Sequence, residues 1–283
     1  MASGTKSKGK PKGKGGRTRP STSGPRRPKP WGMIGAVVLV VALAAGVFTY
    51  AFMQINEQEQ WVASEENQDP SGDIEGVTKV EYEGAQHVTG DQRVAYDQSP
   101  PFGGPHDQVW ANCNGTVYET AVRNENMVHA LEHGAVWIAY NPDEIKGGEL
   151  DKLKAKVEGQ PHMMLSPYPG LDRPISLQSW GHQLKLDSPD DERIDQFIRA
   201  LRQNQYQHPE PGGRCDSDGT GFDPLNPPPF VAEPPGEDAV QMDGTGAIEA
   251  TDEGMTGAPP APPASGASEP PATGAPTGAP PSQ

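Results

Sequence analysis

The residues best placed for chemistry lie in one short string, Glu125-Asn126-Met127-Val128-His129-Ala130-Leu131-Glu132-His133-Gly134. His129 and His133 are four residues apart. On a helix their imidazoles share one face, with Glu125 one turn earlier. Two imidazoles at that spacing can hold a divalent ion together. His106 follows the Pro/Gly-rich stretch 98–105, a stiff loop able to aim it, and is the third expected metal ligand. Histidine and carboxylate donors suit zinc or Cu(II). Met127, Met163 and Met164 would be the soft ligands if the ion were Cu(I), although methionine is more commonly a core filler. The order His-x-x-Glu-His is also the inverted zinc-protease motif, in which Glu132 would be the general base. The plainer alternative is a hydrogen-bonded structural cluster without metal. His87, His162, His182 and His208 stand alone in the sequence and read as structural or exposed.

The elements that must position these residues form an α+β pattern, a small sheet with helices packed on it. A strand is expected within 78–88. A helix over 124–133 is closed by Gly134, and a buried strand follows over 135–140. Asp143 is placed to cap a second helix carrying Leu150, Leu153 and Val157. Two further strands fall within 162–168 and 174–186. A last helix opens at Ser188-Pro189-Asp190-Asp191 and shows an apolar stripe of Ile194, Phe197, Ile198 and Leu201.

The rest of the chain sets where this domain sits. Residues 1–30 hold ten Lys/Arg and no acid, and read as a disordered cytoplasmic stub. Residues 31–55 carry no charge, and Met33–Met53 alone is long enough, at 1.5 Å per residue, to cross a hydrocarbon core of about 30 Å. The apolar run outlasts a cleavable signal, so a retained single-pass signal-anchor is expected. Cations before the span and acids after it keep the N-terminus inside and export the chain beyond it. Residues 56–74 are a linker, 75–208 the domain, and 209–283 an acidic Pro/Ala/Gly tail in which Thr-Gly-Ala-Pro recurs three times. Beyond residue 55 there are 38 acids against 13 bases, which excludes nucleic acid as a partner of the main body. The two cysteines, Cys113 and Cys215, both fall on the exported side, where an even pair forms a disulfide more often than a metal site.

A set of motifs carries a resemblance. His87, Pro100-Pro101-Phe102-Gly103-Gly104-Pro105-His106, Trp110, Gly115-x-x-Tyr118, the 128–136 string, Pro167-Tyr168-Pro169 and Ser179-Trp180-Gly181 resemble the bacterial domain-of-unknown-function family 3105 over about 130 residues. Phe102-Gly103 departs from the family's small hydroxyl residue before the second glycine. The resemblance implies a cytoplasmic stub, one span and an exported domain, and it implies no activity. It marks His106, His129, Glu132 and His133 as positions to test. Three functions remain open: an envelope domain binding copper or zinc, a metal-free scaffold contacting a cell-envelope protein, and a zinc hydrolase using Glu132. No Gly-x-Ser-x-Gly string supports a serine hydrolase.

Overall fold

The computed structural model describes residues 30–84 and 86–248, divided into two compact units, 1–59 and 60–283. Within the first, helix α1 runs from Trp31 to Glu59, and its Trp31–Met53 portion is long and apolar enough to cross a membrane. A helix is the natural form for such a stretch in lipid, because every backbone polar group finds its partner inside the segment.

The second unit is built on a mixed six-stranded sheet with the order β1-β8-β7-β5-β6-β4. Its strands are β1 (Thr78–Lys79), β4 (Asn114–Val117), β5 (Val136–Tyr140), β6 (Met163–Pro167), β7 (Ile175–Ser179) and β8 (His182–Leu186). The pairs β5–β6 and β6–β4 are parallel, and the remaining pairs are antiparallel. Two short strands, β2 (His87–Val88) and β3 (His106–Asp107), form a separate parallel pair. Helices α2 (Asn124–Glu132), α3 (Gly148–Val157) and α4 (Arg193–Leu201) complete the α+β fold.

Alternation along β5 explains the layering. Val136, Ile138 and Tyr140 face a core formed with Leu153 and Val157 of α3 and with Ile194, Phe197 and Leu201 of α4. Trp137 and Ala139 face the opposite core, shared with Met127, Val128, Ala130 and Leu131 of α2. Both faces of the sheet are therefore covered, which is why β5 reads as a continuous apolar run. Gly134 ends α2 with φ +82°, and a Cβ there would stand 2.7 Å from the His208 ring. Only glycine meets both demands at low cost.

One expectation needs correction, and one strand lay outside the reading. Asp143 does not cap α3. Its backbone N–H donates to Asn141 Oδ1 at 3.0 Å in an Asx turn, and the helix starts five residues later behind Gly147, φ +54°. Strand β4 has no alternating signature in sequence. It pairs with β6 through a register shift at Gly115, whose φ is +76° and whose missing side chain admits the Gly159 backbone. Within the Pro-rich segment, residues 209–248 lend single side chains to the domain: Phe222 and Val240 are buried, Val94 bridges Val240, and Val122 bridges Pro229. A Pro-rich segment that cannot build its own core can still lend single apolar side chains to another. The Thr-Gly-Ala-Pro repeats and the basic stub lie outside the described residues.

Candidate metal centre

Helix α2 is buried along its whole length, including the polar residues Glu125, Asn126, His129 and Glu132. Its apolar residues fill the core, so the polar ones must find partners inside the protein. Two elements meet them. Strand β3 brings His106, and the parallel β2–β3 ladder sets His87 directly beside it in register. The segment after α4 brings Glu210, whose backbone N–H donates to the Glu132 carbonyl at 3.2 Å.

Two groups of donors result. One comprises His87, His106, His129 and Glu132, and the other His129, His133 and Glu210, with one ligand atom from each residue within 4.8 Å of the others in its group. Glu132 Oε2 lies 2.8 Å from His106 Nε2 and 3.9 Å from His87 Nε2. Those distances bracket the separation of about 3.3 Å expected between tetrahedral ligands of a zinc-sized ion. The His129 and His133 Nε2 atoms are 3.0 Å apart, and Glu210 Oε2 is 3.1 Å from His133 Nε2.

The outer ring of hydrogen bonds fixes the tautomers. His106 Nδ1 donates to the Gly104 carbonyl at 2.8 Å, His129 Nδ1 to Asp107 O at 2.6 Å, and His133 Nδ1 to Arg214 O at 2.7 Å. A carbonyl can only accept, so each Nδ1 carries a proton and each ring turns its Nε2 to the centre. This is how proteins commonly orient metal-ligating histidines. The carbonyls are themselves held. The Asp107 carboxylate pairs with Arg123, whose Nε reaches Glu125 Oε2 at 3.2 Å and whose Nη2 donates to Gln92 O at 2.6 Å.

The short contacts crowd ring nitrogens against one another and against carboxylates. His129 Nε2 and His133 Nε2 share a hydrogen bond, His133 also bonds Glu210, and His106 Nε2, buried without a hydrogen bond of its own, lies 2.8 Å from a Glu132 oxygen. Burial pushes the His129 imidazole well below its ordinary pKa, and His106, His133 and His87 push the same way. Glu210 is held below the usual carboxylate range by its hydrogen bond to His133, against the opposing effect of burial.

Of the expected trio, His129 falls in both groups, His106 in the first with Glu132, and His133 in the second, so the three do not form one set. Sequence reasoning missed His87 and Glu210. Nothing around His87 signals a ladder of two residues. Glu210 sits in Pro209-Glu210-Pro211-Gly212-Gly213, a stiff turn that was legible only as tail. His162, His182 and His208 lie outside both groups, and Met127, Met163 and Met164 are fully buried in the two cores. The Cys113 and Cys215 sulfurs are at bonding distance, with Cα atoms 4.7 Å apart, as the paired cysteines suggest. A cleft of about 650 Å³ lies beside the centre. Trp180 lines it and also sets its ring perpendicular to His106 at 5.7 Å.

A buried histidine/carboxylate cluster in a mixed α+β domain is the class of site present. Residues 87–217 match the model of a family described as a protein of unknown function, DUF3105, and the resemblance seen in the motifs holds over that segment. The matched segment contains every ligand of both groups. No curated protein and no solved structure matches the chain.

Proposed function

We propose that this protein is a membrane-anchored, extracytoplasmic domain that binds one divalent transition-metal ion, zinc or Cu(II), at His87, His106, His129 and Glu132. The observation that carries the reading is the convergence of three imidazoles and a carboxylate, one ligand atom of each within 4.8 Å of the others, with the His106 and His129 Nδ1 atoms committed to backbone carbonyls. Three imidazoles and a carboxylate, without thiolate or thioether, favour these borderline ions over Cu(I). Glu132 is counted as a ligand. Its Oε2 lies among the histidine nitrogens rather than held back where a water would need a base. The full chain, purified in detergent without a metal-affinity tag, is expected to carry about one equivalent of zinc or copper that a chelator removes. Metal content at the buffer level, together with no heat on titration with Zn²⁺ or Cu²⁺, would favour the metal-free scaffold instead.

The anchor reading rests on the apolar length of α1 and on the cations that precede it. The disulfide supports an oxidising, extracytoplasmic setting. Protease added to intact protoplasts is expected to digest the domain and spare the basic stub. A protected domain would reverse the orientation.

A further inference from the structure

Deepening that reading, on which it rests, we infer that His133 and Glu210 form an outer loading position. There an incoming divalent ion is first captured and then passed to the inner four-ligand site, with His129 as the hinge ligand common to both.

The argument begins with His129. Its Nδ1 is committed to Asp107 O at 2.6 Å, so the ring has one lone pair to offer, on Nε2. Both donor groups need that atom. One lone pair ligates one ion at a time, so the two positions are alternatives, and the chain holds a single ion. The positions differ in access. His106, His129 and Glu132 are buried, and the His87 side chain is 30% exposed but keeps its Nε2 buried, whereas the Glu210 side chain is 56% exposed. An ion arriving from solvent meets the Glu210 carboxylate first, with His133 Nε2 3.1 Å behind it and His129 Nε2 3.0 Å further in.

Passage inward exchanges ligands without releasing the ion. His129 stays bound while Glu210 and His133 are replaced by Glu132, His106 and His87. Each position supplies one carboxylate, so charge compensation is the same at the start and at the end. The path is short because adjacent rings are already in contact: His133 to His129 at 4.6 Å between centroids, and His129 to His106 at 4.8 Å. The outer position is also built rather than incidental. The Arg214 carbonyl orients the His133 ring, and a Cβ on Gly213 would collide with that ring at 2.5 Å, so the turn lies flat over it.

Trp110 packs against His129 and His133 at 5.4 and 4.8 Å, and Trp180 against His106, so quenching of tryptophan fluorescence by Cu²⁺ reports arrival. The test is stopped-flow mixing of the metal-free full chain in detergent with Cu²⁺, and equilibrium titration of the same samples. For Glu210→Gln the association rate is expected to fall roughly tenfold, as loss of a steering and capturing charge allows. Its dissociation rate should fall in parallel, leaving Kd within about twofold of wild type, since the reverse path uses the same atoms. Glu210→Asp, which keeps the carboxylate, should recover much of the rate. Circular dichroism of each variant checks that the exposed substitution leaves the fold intact. Unchanged rates in Glu210→Gln would overturn the loading role while leaving the inner site standing. So would a tenfold loss of affinity at unchanged association rate, which would make Glu210 a permanent ligand, or two ions bound at once. Absence of Cu²⁺ and Zn²⁺ binding by the wild-type chain would instead remove the metal reading itself, and this one with it.

Discussion

Replacement of His129 with alanine is expected to abolish the thermal stabilisation that zinc confers on the wild-type chain. His129 contributes to both donor groups, so no arrangement of the remaining residues substitutes for it. Changing residues that merely support metal ligands costs roughly 10–100-fold in affinity, and loss of the shared ligand should cost at least about 100-fold. At a free Zn²⁺ concentration one hundred times the wild-type Kd, mass action stabilises the wild type by about 2.7 kcal/mol. With a Kd raised about 100-fold, the same zinc stabilises the variant by only about 0.4 kcal/mol. For a domain of this size each kcal/mol moves Tm by roughly 2–4 °C, so the wild-type shift is about 5–10 °C and the variant's is about 1 °C. The readout is the difference between zinc-loaded and metal-free melting of the same chain. That difference separates ligation from the cavity that alanine leaves in the core. Equal zinc-induced shifts in the two proteins would dispose of His129 as a ligand.

Removal of the Cys113–Cys215 bridge is the second large effect. The cysteines are 102 residues apart, and both are buried. In the chain-entropy model a cross-link closing a loop of that length stabilises the fold by roughly 4–5 kcal/mol at most, which is a large part of a typical domain's 5–15 kcal/mol. The double variant Cys113→Ala/Cys215→Ala is expected to approach that loss in denaturant unfolding. The bridge also holds the segment that bears Glu210 and the Arg214 carbonyl, with Cys113 N–H donating to Cys215 O at 2.9 Å. Loosening it should therefore weaken zinc binding as well. A double variant within about 1 kcal/mol of wild type would show that this segment is held by its noncovalent contacts alone.

How much of this was legible in the sequence depended on whether a signal was local. Helix α2, strand β5 and helix α4 carry their own apolar periodicity, and each lies where that pattern places it. His129 and His133 were legible for the same reason, since a spacing of four fixes their common face. The start of α3 was misplaced because Asn141 turns the chain before Asp143 can cap anything. Strands β2, β3 and β4 carry no periodicity to read, being two, two and four residues long. His87 became a ligand candidate only through its ladder with His106, and Glu210 only through a turn anchored on Glu132. Composition gave no sign of the contacts made by 209–248, because a high proline content excludes an independent core without excluding attachment to an existing one.

The spread of the residues that could hold a metal, from His87 through His106, His129 and Glu132 to Glu210, bears on the order in which the molecule assembles. In a zinc finger the ion gathers ligands from a few neighbouring turns and can nucleate the fold around itself. Here no contiguous fragment shorter than nearly the whole domain contains the set. The short β2–β3 pairing and the parallel β5–β6 and β6–β4 ladders that support it are non-local contacts, the kind that folding reaches late. An ion binding at these residues would find a cage already formed and would reward only chains that had completed their topology, acting as a lock on the finished fold rather than as a seed for it.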